Sequence, residues 1–387
     1  MPKIAIVGAG PSGLSLAALL EKKGITDYIV YERGAESEPP RGGCLDLHVG
    51  SGQRVMKEAG LFDSFKANSR DGDATIHRLY THTGDHVFTW GEGRDAPEID
   101  RSQIRKVLRG GIPDHKIIWS KGVESSARDP ATGAVVLTFT DGSTASGFDL
   151  VVGADGTFSR LRHLVTSAQP VFAGQIFLTT IISPGNPFYD TMQSLCGVGS
   201  MVTMGRGSHM FNSRQGDGHY RVDVGILETD DFPTRGAVDF TDMDAVKEFL
   251  LQDRFFGTYA PAMQDIIRHS EGPFRPWLMY YMPTDRLNWS AAPGVTLIGD
   301  AAHVTTPFVG DGVNCAMRDA VILAHKIKEF GVTDKAVVEY EKDMFPHAID
   351  VIERSVASGH MFFAEDAPKT FLEVMNAVPL IGKTDEY

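Results

Sequence analysis

The first apolar run, Lys3 to Val7, is short and unbroken, the pattern of a strand buried on both faces of a parallel sheet. A Leu- and Ala-rich stretch from Leu14 to Leu20 predicts a helix ending near Gly24. Tyr28 to Tyr31 is a second strand, stopped at Glu32. The strand signature returns at Val295 and runs into Gly299-Asp300; Gly310-Asp311-Gly312 then opens a helix through about Phe330. Between about Val171 and Arg286 the rhythm changes to short β-like runs: Phe177–Ile182, Met201–Met204, Met210–Ser213 and Tyr220–Leu227. This predicts an antiparallel sheet. From Asp334 to about Phe363, apolar positions such as Val337, Tyr340, Met344 and Ile352 recur at helical spacing. Pro346 predicts a kink in that helix. Lys369–Val378 predicts one more short helix, over a pocket mouth.

Composition narrows the partners. At 387 residues the chain suits one large or two interleaved domains. With 42% hydrophobic and 22% charged residues it has enough apolar material for a real core. A formal net charge of -13 disfavours nucleic acid and acidic membrane surfaces, which call for a basic face. Cys44, Cys196 and Cys315 are too scattered for a disulfide framework, and no metal-ligand spacing is present. With no signal peptide at Met1 and no apolar run of bilayer length, a cytoplasmic protein is expected.

The chemistry begins at Gly8-Ala9-Gly10-Pro11-Ser12-Gly13, between the first strand and the first helix. Gly8 makes the tight turn, Gly10 lets a pyrophosphate approach, and Gly13 lets helix and strand pack. The helix N-terminus offers free N–H groups to phosphate. Glu32 lies about 20 residues on, where an acidic side chain meets ribose hydroxyls. The bland alternative is a glycine-rich turn with an exposed glutamate, and this unit alone does not distinguish FAD from NAD. Asp300, at a strand's end, is placed to accept bonds from a ribityl chain. The Gly310–Asn314 segment turns helix N–H groups toward an anion, such as the N1–C2 carbonyl edge of a reduced flavin. His303 reads as a packed imidazole with one backbone bond.

Two further motifs are Asp149-Leu-Val-Val-Gly153-Ala154-Asp155-Gly156, followed by Ser159, Arg160 and Arg162, and Ile99-Asp100-Arg101-Ser-Gln-Ile-Arg105. Together the four motifs resemble the single-component FAD monooxygenases of the p-hydroxybenzoate hydroxylase type. The resemblance covers nearly the whole chain. It implies that Asp155 helps bind FAD and the reduced nicotinamide cofactor, and that Arg101 contacts FAD. Alone, Arg101 and Arg105 would read as a solvated i,i+4 pair on a helix. The segment Arg41-Gly42-Gly43-Cys44-Leu45-Asp46-Leu47-His48-Val-Gly50-Ser51-Gly52-Gln53 is similar to the tetracycline-inactivating branch of that family. There the match to Asp46 contacts FAD and the match to Arg41 is implicated with NADPH. Gly8, Gly10, Gly13, Glu32, Arg33, Arg41, Asp46, Arg101, Asp155, Asp300, Gly310, Gly312 and Asn314 are therefore the expected cofactor residues.

The resemblance also implies an α/β fold: a Rossmann-like FAD-binding domain, an interleaved antiparallel-sheet substrate domain and a long C-terminal helix. The expected division is FAD-binding at 1–70, 99–170 and 287–331, substrate-binding at 71–98 and 171–286, and a bridging helix and tail at 332–387. In the strand His219 to Gly225, Tyr220, Val222 and Val224 take one face, while Arg221 and Asp223 take the other. That polar face either meets water or lines the substrate pocket. The branch's substrate-binding Gln and Arg fall near Thr179 and Ser200, which reproduce neither group, so tetracycline itself is disfavoured. Expected substrate contacts are Thr179, Ser200, Arg221, Asp223, Pro307 and Gly310; Asp223 and Arg221 are the catalytic candidates beside the flavin itself, and Asp46, Arg101 or Asp223 could steer protons.

No Ser/His/Asp nucleophile pattern and no HExxH occurs. The activity implied is FAD-dependent oxygenation of an aromatic, alkaloid or polyketide-like molecule through a flavin C4a-hydroperoxide. O2 is the co-substrate and NADPH or NADH the reductant, in a monomer or weakly associating homo-oligomer. A non-oxygenating flavin reductase and a non-catalytic flavin-binding module are the alternatives. A halogenase is disfavoured because Trp90, Trp119, Trp277 and Trp289 form no WxWxIP run.

Overall fold

The computed structural model describes residues 3–40 and 42–377. Arg41 and Val378 lie outside them. The fold is α/β, built around a five-stranded parallel sheet in the order Val295–Leu297, Leu150–Gly153, Ile4–Val7, Tyr28–Tyr31, Ile117–Ile118. Ile4–Val7 is buried at every position, because it has strands on both edges and helices against the sheet. Helix Pro11–Lys22 lies between the first two strands in sequence and packs on helix Gly312–Phe330. A three-stranded antiparallel meander, Val123–Arg128, Val135–Phe139 and Thr144–Ala145, flanks this layer.

A seven-stranded sheet stands apart, in the order Glu271–Tyr281, Val171–Ile182, Tyr220–Leu227, Ser208–Arg214, Ser200–Gly205, His77–Thr81, His86–Trp90. It differs from the expected antiparallel sheet at one joint: Ser200–Gly205 pairs in parallel with His77–Thr81. That strand arrives from a remote part of the chain, so no hairpin dictates its direction. One face, with Ile176, Leu178, Val222 and Val224, packs on helices Tyr189–Cys196, Met243–Leu250 and Pro261–His269. The other carries Phe177, Val202 and Met204, against Phe308 and against Phe362, Phe363 and Phe371 near the C-terminus. A side chain of that size, fully buried, contributes about 1.5–3 kcal/mol. This aromatic layer therefore holds the C-terminal helices onto the sheet.

Helix Asp334–Phe362 joins the two halves: Val337, Tyr340 and Met344 sit in the parallel-sheet core, and Phe362 in the aromatic layer. Its helical backbone runs unbroken through Pro346. Helix Lys369–Ala377 closes the described chain. Among the described residues, no helix is long and apolar enough to cross a membrane.

Candidate active site

The glycine turn is shaped by contact. Gly8 has φ 110°, and a side chain there would strike the Ala154 carbonyl. A methyl on Gly13 would strike the Gly8 carbonyl. At Gly10 nothing lies within 4 Å, so this side of the turn is open for a ligand. The cleft beside it is lined by Ala9, Gly10, Pro11, Arg101 and Arg105. Glu32 accepts bonds from the N–H of Ala9 at 2.7 Å and of Gly34 at 2.8 Å, which holds the turn in shape. Arg33 is exposed.

Arg101 opens helix Arg101–Arg109, and its Nε is buried with no hydrogen-bond partner among the described residues. Burial lowers its pKa, with Asp300 acting against that. Asp300 occupies a recess, open to solvent yet walled by enough protein to raise its pKa, against the pull of His303, Arg101 and Arg162. Asp155 accepts from the Arg160 N–H at 2.7 Å through one oxygen, and its other oxygen is buried and unpaired. Burial raises its pKa as well. Arg162, buried, donates to the carbonyls of Ala301 at 2.8 Å, Thr157 at 2.6 Å and Asp300 at 3.1 Å. It thereby clamps the Asp155-Gly156 segment onto the Gly299-Asp300 segment.

Asp46 lies on a two-stranded ribbon, Cys44–Asp46 paired with Glu98–Asp100. His48 Nε2 is 3.1 Å from Asp46, and its Nδ1 is 3.1 Å from Asp311. Arg94 reaches Asp46 at 3.0 Å and Arg354 reaches Asp311 at 3.1 Å. Burial alone would raise the Asp46 pKa; the His48 bond and charge, with Arg94, hold it down at about 2. Burial would lower His48, but its bonds to Asp311 and Asp46 lift it to about 9. Arg94 Nη2 also lies 2.5 Å from His48 Nε2, a contact that a cationic ring cannot accept. Two flanking carboxylates favour the cationic ring, so the productive partner of Arg94 is Asp46.

Asn314, expected at the cofactor, is engaged elsewhere. Its Oδ1 accepts from the His48 N–H and the Ser51 hydroxyl, both at 2.9 Å, and its Nδ2 donates to the Asp46 carbonyl at 2.9 Å. The side chain fastens the Asp46–Gly52 loop, so only its backbone N–H, with that of Gly312, is turned to the helix N-terminus. Pro307 and Gly310 are exposed on the preceding loop. His303 also departs from expectation: it is buried against Asp319 through a 2.5 Å contact rather than on a backbone group, and Asp319 accepts the Gly299 N–H as well.

On the sheet, the polar face of Tyr220–Leu227 is turned away from water. Arg221 donates twice to Asp223, at 2.7 and 2.9 Å, and once to Thr179 at 3.1 Å; the Thr179 hydroxyl bonds Asp223 in turn. Asp223 is 5% exposed. Ser200 is buried on the same sheet, across from Ser213 and His77. A methyl at Gly43 would press on Arg221, and one at Gly42 on Arg101, so the loop after Arg41 bridges the two halves of the site. Gln215, accepting from the Cys44 N–H at 2.9 Å, ties them again. Gln215 and Asp319 were not anticipated, and the motifs that contain Arg162 and His48 did not reveal their partners, because each contact depends on chain segments far apart in sequence.

Comparisons with known proteins identify the family and the fold. The FAD binding domain family matches residues 1–246 and 265–355. The monooxygenase asqM of Emericella nidulans is 28% identical, over 96% of this chain and 98% of its own. Among solved structures, Klebsiella pneumoniae HpxO complexed with FAD and uric acid superposes with a TM-score of 0.76 at 22% identity, covering 97% of this chain and 92% of that one. The tetracycline destructase Tet(55) gives 0.76 at 20% identity, covering 100% and 97%. At these identities the two structures speak for the fold.

Proposed function

The chain belongs to the FAD binding domain family, and from that premise we propose that it is an FAD-dependent monooxygenase acting on a small aromatic, alkaloid or polyketide-like molecule, with NAD(P)H as reductant. The observation that supports this reading is a pair of buried polar atoms unpaired among the described residues: Arg101 Nε, in the lining of the cleft at the open side of Gly10, and Asp155 Oδ1, on the turn whose backbone packs against Gly8. Native proteins leave few such groups unpaired, and a ligand that pairs them fits the rule. FAD, when bound, would supply the redox chemistry of hydride acceptance and O2 activation.

The protein's own residues position and insulate. The N-terminus of helix Pro11–Lys22 would receive the pyrophosphate, and Glu32 keeps lone pairs that would meet ribose hydroxyls. Asp300 and Arg101 would hold the ribityl chain and flavin. The N–H groups of Gly312 and Asn314 would stabilise negative charge on the bound ring. Thr179 and Asp223 orient the substrate, and the aromatic layer around Phe177 and Phe308 keeps water away from it. Arg41 and Asp155 are the residues we assign to the reductant.

The test is direct. Purified protein should be yellow, should oxidise NADPH faster when its substrate is present, and should place one atom of 18O2 in the product. Product without label would overturn the reading.

A further inference from the structure

The loop that follows strand Cys44–Asp46 is fastened twice to the start of helix Gly312–Phe330. Asn314 makes the first fastening through its amide, on the backbone of Asp46 and His48 and on the Ser51 hydroxyl. The His48 ring makes the second, 3.1 Å from the Asp46 carboxylate and 3.1 Å from that of Asp311. The seam is close: a methyl on Gly310 would lie 3.8 Å from Asp46 Oδ1. Arg94 and Arg354 each reach one carboxylate from outside, and Arg354 is shared with Asp350. Two more groups act on Asp46 through space. They are His77, whose pKa burial lowers to about 4, and Glu98 on the paired strand. His347, on the long helix, acts on Asp311 in the same way. Among the described residues, His48 alone touches both carboxylates.

Protonation decides how many of these bonds the ring makes. An imidazolium carries two N–H donors, a neutral imidazole one donor and one acceptor. The cation therefore bonds both carboxylates. The neutral ring keeps Asp311 through Nδ1, and its Nε2 then turns a lone pair on Asp46. Arg94 Nη2, 2.5 Å from Nε2, is placed to donate to that lone pair. Asp46 is left with Arg94 alone. We propose that His48 is a positioning residue for the cofactor: while its ring bridges Asp46 and Asp311 it holds the Asp46–Gly52 loop and the Gly310–Asn314 segment as one wall, and once Arg94 takes its Nε2 the seam loosens and FAD is held less tightly. The proposal rests on the reading that sets FAD against the N-terminus of helix Gly312–Phe330. The two carboxylates lift the ring's pKa to about 9, so the bridge is complete well below that value and is lost as pH rises through it.

Full-length chain freed of flavin is titrated with FAD at about pH 7 and about pH 10, on either side of that transition, and binding is read from quenching of flavin fluorescence. Native affinity should fall about tenfold, as expected for one charge-assisted hydrogen bond. His48→Gln should bind FAD equally at both pH values, near the weaker native level. Arg94→Met should move the native fall to higher pH, because Arg94 opposes charge on the ring. This variant also serves if His48→Gln does not fold. Equal native affinity at both pH values, a fall that persists in His48→Gln, or a fall that Arg94→Met does not move overturns the proposal. Ionisation of the flavin itself would be common to native and variant chains, and so counts among the overturning results. All three leave the cofactor reading standing. A native chain that takes up no FAD at neutral pH would strike that reading, and the proposal with it.

Discussion

The proposed cofactor cleft leaves Arg101 Nε and one Asp155 oxygen without partners among the described residues, whereas on the sheet proposed to meet the substrate Arg221, Asp223 and Thr179 satisfy one another. Both regions hold charge in surroundings short of water. In the first, the fold stops short of pairing its polar groups; in the second, it completes the pairing itself. The first arrangement costs stability until a ligand arrives, since an unpaired buried polar group loses about 1–3 kcal/mol. The second stands without any ligand. Binding of FAD should therefore raise the melting temperature, while a substrate meeting Thr179 and Asp223 adds less.

The sharpest break of this contrast is Gly13→Ala. The added methyl strikes the Gly8 carbonyl, so flavin retention should be abolished and soluble yield should fall. Flavin retained through gel filtration would mean that the turn can relax. Next is Asp223→Ala, which strands the Arg221 guanidinium. We expect a loss of about 3 kcal/mol in urea unfolding with flavin content unchanged. The double change Arg221→Met, Asp223→Leu should recover most of it, and no recovery would argue against a self-contained pair. Asp300→Ala should do the opposite: FAD affinity falls about tenfold or more while the apoprotein unfolds at an unchanged urea concentration. Equal losses in both measurements would remove the contrast.

The smallest expected effect is on pH dependence. The folded-state pKa of His48 is lifted to about 9. Its stabilisation is fully present below the unfolded value of about 6.5 and is lost as pH rises through the folded one. The melting temperature of the holoprotein should fall by a few °C across that window. His48→Asn should flatten the slope, and an unaltered slope would place the titration elsewhere.

The parallel-sheet half was legible because its signals are local. A glycine turn between an apolar strand and a helix can be read from consecutive residues, and the Gly8, Gly10 and Gly13 geometry follows the expected division of labour. The substrate sheet was legible as alternation, which separated Arg221 and Asp223 from Val222 and Val224. Alternation does not say which face meets water. Burial of the polar face depends on remote segments, such as the Gly42-Gly43 loop that packs on Arg221 from more than 170 residues away. Asn314 shows the same limit. Its place at a helix start suggested a ligand contact, but the Asp46–Gly52 loop claims its amide from more than 260 residues off. His303 likewise finds Asp319 one helix further on.

The grip of Arg162 on three carbonyls has a mechanical consequence. The strand ends that carry Asp155 and Asp300 form a single stiff jaw, and prising them apart would break all three bonds together. A dinucleotide in the cleft would lie beside the lip Gly42 to Cys44, which is held by side-chain packing, by the Gln215 contacts to Cys44 and by the pairing of Cys44 with Asp100. Loading rate should thus follow the compliance of that lip, and substitutions there should change how fast the protein turns yellow more than how yellow it becomes.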